Sequence, residues 1–242
     1  MQLREEVVGM EKRHFSYRAD AAFFLLYFCC GFLLFWYSPK DVGFSFGLFL
    51  MLVWNCLLSF LPLLFARHAV SCQNGHKRVW LLWAFLWLIF WPNTFYLVTD
   101  VAHFTGNAFY MAVPYQKPVY STELQLWAKG ILIVAGILYG VLNGTRSEMI
   151  FENTIAGRNG KGKRAFFRAI CSLLGGIAIY IGRFLRLNSW DIFRPLKFAA
   201  GFQDLGHDWR FVAGFIGIFA AFIFSVLSFA KSFAEESGKS TE

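Results

Sequence analysis

Four polar side chains recur at helical spacing where a long apolar run ends. The segment WPNTFYLVTDVAHF, residues 91–104, contains Asn93, Tyr96, Asp100 and His103. Separations of three and four residues place side chains on one face of a helix. Pro92 lacks an amide donor and should kink or break the helix that precedes it. A carboxyl beside an imidazole could transfer a proton, so Asp100 and His103 are the candidate catalytic residues.

A second polar segment, GRFLRLNSWD, spans residues 182–191. Its Arg183 and Arg186 are one helical turn apart, and two guanidiniums can hold a phosphate or carboxylate bidentately. The alternative is an internal ion pair, in which one of these arginines binds Asp100 or Asp191. Both alternatives stay open. The predicted binding residues of the two segments are Asn93, Tyr96, Asp100, His103, Arg183, Arg186, Asn188 and Asp191.

The Asn-Ser-Trp-Asp sequence at residues 188–191 is typical of a turn or a helix cap, because these side chains bond nearby backbone amides. A metal site is not expected. His207 and Asp208 could join Asp100 and His103 around a cation, but the spacing matches no zinc motif. The five cysteines also lack ligand spacing and are predicted to be packing residues. No cofactor can be named.

These segments must be positioned by membrane helices. The chain is 57% hydrophobic, 20% aromatic and only 16% charged, whereas a soluble domain carries about 25% charged residues. A span needs roughly 20 apolar residues. We therefore predict an all-α polytopic membrane helix bundle of about six transmembrane helices. The apolar blocks are 21–36, 44–66, 79–98, 124–142, 169–181 and 211–230, of which the fifth is short unless it begins at residue 165.

Loop charge predicts the orientation of the chain. Basic residues alternate between rich and poor connections, which places both termini in the cytoplasm. We expect a cytoplasmic segment at 1–20, an integral membrane domain at 21–231 and a polar tail at 232–242. The connection 183–210 breaks the rule because it is basic yet should be outside. Either the span count is wrong or these cations are retained outside, and we favour the second explanation. Both polar segments then share the extracytoplasmic face. The net charge of +8 is explained by basic residues in the loops that flank the spans, so nucleic-acid binding is not expected.

Small and amide side chains within the blocks indicate helix packing. Gly136, Gly140 and Gly144 recur every four residues, as do Gly43 and Gly47, which is typical of close helix contact in lipid. The amides that we expect to form hydrogen bonds between helices are those of Asn55 and Asn143.

The motifs WPNTFYLVTDVAHF and YIGRFLRLNSWD, with weaker agreement in NCLLSFLPLLFA, resemble the integral-membrane family named domain of unknown function 1361. The resemblance covers roughly residues 54–196. It implies a membrane helix bundle and a site at the two motifs, and it implies no reaction, since the family has no established activity. The positions that it singles out are Pro92, Asn93, Tyr96, Asp100, His103, Gly182, Arg183, Arg186, Asn188, Ser189, Trp190 and Asp191.

Three classes of function fit these residues. We favour a non-catalytic, multi-pass cell-membrane protein that scaffolds partners or binds membrane lipids, with an anionic lipid or phosphate at Arg183 and Arg186. The first alternative is a membrane enzyme acting on an envelope lipid or a lipid-linked phosphate. The second is a small transporter, which is disfavoured because the spans between the motifs hold almost no charge and no internal repeat is evident.

Overall fold

A computed structural model describes residues 17–38, 43–72, 77–104, 109–111, 117–156, 160–194, 196 and 208–239. The described chain is helical apart from one antiparallel pair of two-residue strands. The long helices are α1 (Arg18–Tyr37), α2 (Phe46–Cys72), α3 (Lys77–Phe90), α5 (Leu124–Ala156), α6 (Lys161–Phe184) and α7 (Trp209–Lys239). The shorter elements are α4 (Pro92–Tyr96), the 3₁₀ helices Leu97–Phe104 and Ser189–Phe193, and strands β1 (Tyr110–Met111) and β2 (Val119–Tyr120).

The prediction of six membrane-spanning helices is confirmed. Among the described residues, six helices are long and apolar enough to cross a membrane, and this is a multi-pass membrane protein by that criterion. The spans are Arg18–Tyr37, Phe46–Cys72, Lys77–Phe104, Leu124–Ile155, Lys161–Phe184 and Trp209–Glu236. The direction in which they cross stays a prediction.

The third span is composite, and Pro92 marks its break. Helix α3 ends at Phe90, and Pro92 is the first residue of α4, where its missing amide hydrogen needs no partner. After Tyr96 the chain winds more tightly as a 3₁₀ helix to Phe104. The expected continuation as α-helix is therefore wrong for residues 97–104, and this difference decides which side chains reach the site.

Two of the predicted apolar blocks are longer in the structure because buried charges interrupt their hydropathy. Helix α6 begins at Lys161 and includes Arg168, whose Nε lies 3.4 Å from Oε1 of the buried Glu152. Helix α5 continues past residue 142 to Ala156 and carries Glu148 and Glu152, both 0% exposed. The premise that the intervening spans hold almost no charge is therefore wrong.

Two compact units can be distinguished along the chain. The smaller comprises Met1–Trp54 and Phe104–Ile133. Within it α1 packs closely on α2, since a Cβ on Gly31 would lie 2.8 Å from the Phe49 ring. The β-hairpin precedes α5, where Nε1 of Trp127 donates to the carbonyl of Ser121 at 2.9 Å.

The larger unit, Asn55–His103 and Val134–Glu242, contains both polar segments. Its helices pack around one apolar core, and the buried members of that core are Ala66, Ala69, Trp87, Trp91, Phe95, Phe151, Cys171, Ile179, Ile223 and Leu227. Trp91 is fully buried and donates from Nε1 to the carbonyl of Gly144 at 3.0 Å, which fixes the break in the third span against α5.

The glycine prediction is confirmed on α5 and wrong on α2. A Cβ on Gly140 would lie 2.5 Å from the Thr94 carbonyl oxygen, so only glycine permits this approach. At Gly47 a Cβ would meet only Ser45 Oγ, at 3.8 Å, a residue that directly precedes its own helix. The Asn143 prediction is also wrong, because its buried amide has no hydrogen-bond partner in the described part of the chain.

Candidate functional site

Asp100 is at the centre of the site and is almost fully buried, with 2% of its surface exposed. Asn55 of α2 donates from Nδ2 to Oδ2 at 3.2 Å. Arg183 of α6 donates from Nη2 to Oδ1 at 3.3 Å and forms an ion pair. Each carboxylate oxygen therefore has a donor from a different helix, which is what a buried charge requires.

Arg183 is held on three sides. Its Nε donates to Thr99 Oγ1 at 3.0 Å, and Nη2 donates to the same hydroxyl as well as to Asp100. Its guanidinium carbon lies 5.0 Å from the centroid of the Tyr96 ring, a cation–π geometry. The side chain remains 24% exposed, so the guanidinium is fixed in position and still borders the surroundings.

Gly182 allows the Tyr96 ring to lie against α6. A Cβ at this position would lie 3.2 Å from Cε2 of Tyr96. Because Gly182 precedes Arg183, the same backbone segment that accepts the ring also presents the guanidinium to its face. The position that the family resemblance singled out thus has a packing reason.

Thr99 is the site residue that the sequence reasoning missed. In an α-helix the side chain of residue 99 would be offset by about 60° from that of Tyr96, whereas three residues make a full turn of a 3₁₀ helix, so residues 96, 99 and 102 nearly eclipse. Thr99 Oγ1 accordingly donates to the Tyr96 carbonyl at 2.6 Å and receives Arg183. Thr99 directly precedes Asp100 in the sequence, which pointed towards the site, but the 3₁₀ winding could not be predicted from the spacing of the residues.

Asn93 connects the two polar segments at a second point. Its Nδ2 donates to Ser189 Oγ at 2.9 Å and to the Phe90 carbonyl at 3.0 Å. Ser189 Oγ in turn donates to the Ile89 carbonyl at 3.1 Å. These bonds satisfy carbonyls that the Pro92 break leaves without a helical partner. Asn93 is thus a structural link here, and its role in binding stays a prediction.

Asn188 and Asp191 form a local cap, as their sequence predicts. The Asn188 backbone amide donates to Asp191 Oδ2 at 2.9 Å at the start of the 3₁₀ helix Ser189–Phe193. Asp191 is fully buried and Asn188 is exposed. Of the ion pairs predicted for the two arginines, the described structure contains the one between Arg183 and Asp100.

Arg186 differs from Arg183 in its backbone conformation, in its exposure and in its ionic contacts. It follows the end of α6 with a φ of 53°, the only non-glycine residue at positive φ in the described chain. It is exposed and forms no ion pair with a described residue. A left-handed conformation is costly for a side chain larger than glycine, and such strain tends to occur at functional positions.

His103 is half-buried and lies one 3₁₀ turn beyond Asp100. Among the described residues no group of three or more His, Cys, Asp or Glu side chains could hold a metal ion. His207 lies outside the described residues. The cysteines at 29, 30, 56, 72 and 171 are free thiols.

The fold and the site define an all-α, multi-pass membrane protein with an ion pair between Asp100 of the span Lys77–Phe104 and Arg183 of the span Lys161–Phe184. The chain belongs to the family described as Protein of unknown function (DUF1361), which matches residues 54–229. The matched region contains both polar segments, in agreement with the resemblance noted from the motifs. No curated protein and no solved structure matched the chain.

Proposed function

We propose that this is a non-catalytic cell-membrane protein that binds the phosphate of an anionic lipid at Arg183 and Arg186. The observation that carries the proposal is the exposed Arg186, held at positive φ without an ionic partner among the described residues, three positions after a fixed guanidinium. Two neighbouring guanidiniums recognise a phosphate through several charge-assisted hydrogen bonds.

The state of Asp100 supports binding over catalysis. A general base must lie within hydrogen-bond reach of the proton that it removes from its substrate. Both Asp100 oxygens already accept hydrogen bonds, from Asn55 and Arg183, and the carboxylate is buried. Asp100 therefore acts as the anchor that orients Arg183, and the lipid contacts the exposed edge of that guanidinium.

The orientation predicted from loop charge supports an outer-leaflet ligand. With both termini in the cytoplasm, the end of α6 emerges on the extracytoplasmic side. The positive-inside rule would place the basic connection 183–210 in the cytoplasm. The pairing of Arg183 with Asp100 gives a reason for retaining basic residues on the extracytoplasmic side instead.

The test compares anionic with zwitterionic lipid on the purified protein. Thermal unfolding is followed in detergent with added phosphatidylglycerol, phosphatidylcholine or inorganic phosphate. A ligand that binds only the folded protein raises the unfolding midpoint. We expect phosphatidylglycerol to raise it more than phosphatidylcholine does, and Arg186→Gln to remove the difference. A rise with inorganic phosphate as well would identify the phosphate group rather than the lipid as the recognised part.

Arg78→Gln is the matched control, because Arg78 is an exposed arginine at the other end of the third span. It should retain the full response to phosphatidylglycerol. An equal loss in Arg78→Gln and Arg186→Gln would mean that the lipid responds to overall charge, and an undiminished response in Arg186→Gln would refute the proposed site.

A further inference from the structure

A second buried ionic cluster lies in the larger unit and is separate from the arginine site. It consists of Glu148 and Glu152 of α5, Arg168 of α6 and Lys231 of α7, which we call the Glu152 cluster. Arg168 is fifteen positions before Arg183 on the same helix, or about 22 Å along its axis. No polar motif in the sequence pointed to it, because its members come from three separate helices.

Glu152 receives both cations of the cluster. Lys231 Nζ donates to Oε2, and Arg168 Nε lies 3.4 Å from Oε1. Arg168 also donates from Nη1 to Ser228 Oγ at 3.2 Å, which ties it to α7. Glu152 thus lies beside two countercharges, although it is fully buried.

Glu148 lies one helical turn before Glu152 and has a different environment. It is 0% exposed, and neither of its carboxyl oxygens accepts a hydrogen bond in the described structure. Residues four apart on a helix have Cβ atoms about 6 Å apart, so the two carboxyls are neighbours. An ionised carboxylate with no donor and a like charge beside it is strongly disfavoured.

The groups around Glu148 come from every helix that packs there. They are Glu152 on its own helix, Arg168 and the Cys171 thiol on α6, and Lys231 on α7. On α2, Ala66 and Ala69 belong to the same core as Phe151 and Cys171. The charged residue between these two alanines is Arg67, which is buried and has interactions of its own. Helix α3 contributes Trp87, stacked on Phe151 at 4.2 Å.

We propose that Glu148 is a proton-binding site, whose carboxylate takes up one proton from water and returns it. With Glu152 negative and Arg168 and Lys231 positive, the cluster has a net charge of zero when Glu148 is ionised and plus one when it is protonated. A proton needs no cavity, which suits a fully enclosed carboxyl. Arg168 and Lys231 keep 14% and 11% of their side chains exposed and provide the route to water.

The test uses infrared difference spectra of the full-length protein in lipid, recorded as the pH is changed within the range where it stays folded. Glutamate labelled with ¹³C at the carboxyl distinguishes these groups from Asp100. We expect a protonated-carboxyl band from labelled glutamate that exchanges with the ionised form as the pH rises. Glu148→Gln should abolish it, whereas Glu235→Gln, at an exposed position on α7, should leave it intact.

Three results would overturn the proposal. The labelled native protein could show no protonated glutamate at any pH at which it is folded, a result that needs no variant. Glu148→Gln could leave the band unchanged, or Glu152→Gln could remove it while Glu148→Gln does not. Unfolding midpoints check the variants, since Gln at 148 keeps a neutral side chain and should be tolerated, whereas Gln at 152 strands two buried cations and should lower the midpoint.

Discussion

At the scale of single residues, the site contains a buried carboxylate with donors on both oxygens and an exposed arginine in a left-handed conformation. Asp100 has both oxygens engaged, by Asn55 and by Arg183. Arg186 is exposed and has a φ of 53°. The first arrangement is what buries a carboxylate in an apolar protein. The second ends helix α6 and lets the Leu187 amide donate to the Ile181 carbonyl at 3.5 Å, but it leaves the Arg186 guanidinium without an ionic partner among the described residues. The exposed guanidinium of Arg186 is therefore the residue-level argument for a ligand.

Replacing Arg186 with glycine should separate stability from binding. Relief of a left-handed conformation gains about 1–2 kcal/mol, and the greater freedom of glycine in the unfolded chain costs about 0.5–1 kcal/mol. We expect Arg186→Gly to leave the free energy of unfolding unchanged or to raise it slightly, and to abolish the stabilisation by phosphatidylglycerol. Denaturation in mixed micelles, with and without the lipid, measures both. A clear loss of stability without lipid would instead make Arg186 a structural residue.

At the scale of elements, the winding of the third span decides the composition of the site. The polar stripe and the break at Pro92 could be predicted from residue types alone, because proline excludes a helical hydrogen bond wherever it stands. The 3₁₀ winding after Tyr96 could not be predicted in this way, and neither could the contact of Thr99 with Arg183, which lies 84 positions away in the sequence. Thr99 was missed for that reason.

Glycines on the helices give the clearest element-level prediction. Gly140→Ala places a methyl group 2.5 Å from the Thr94 carbonyl oxygen, so α5 and the third span must separate. Overpacking of this kind costs about 1–3 kcal/mol. We expect a lower free energy of unfolding for Gly140→Ala in mixed micelles.

Gly217→Ala on α7 is the matched control, because a Cβ there meets nothing within 4 Å. Alanine should stabilise that helix by about 0.5–1 kcal/mol relative to glycine. If the two substitutions had equal effects, close packing of α5 on Thr94 would be wrong.

At the scale of the whole molecule, length and hydropathy were sufficient to predict six spans, and six helices in the described part of the chain are long and apolar enough to cross a membrane. They were not sufficient to place the ends of α5 and α6, because Glu152 and Arg168 lower the hydropathy of the sequence while neutralising each other inside the protein. A pattern read along one helix cannot reveal a partner on another. The Glu152 cluster was missed for the same physical reason.

Orientation in the membrane is a whole-molecule prediction. With Cys29, Cys30 and Cys72 replaced, and the buried Cys56 and Cys171 retained, single cysteines are placed at the exposed positions Arg186 and Arg78. In intact cells a membrane-impermeant thiol reagent should label Arg186→Cys, because the end of α6 faces outward. Arg78→Cys should be labelled only after permeabilisation. The opposite pattern would invert the topology and place the arginine site at the cytoplasmic face.

The ion pair between Asp100 and Arg183 joins the two polar segments and is the central feature of the site. A double-mutant cycle on Asp100→Asn and Arg183→Gln tests it directly through free energies of unfolding in mixed micelles. Each single variant strands a partly or fully buried charge and should lose about 3 kcal/mol.

The double variant leaves no stranded charge, so its loss should fall short of the sum by on the order of 2 kcal/mol. Effects that add to within about 0.5 kcal/mol would show that Asp100 and Arg183 act independently, and the single site built from both segments would be contradicted.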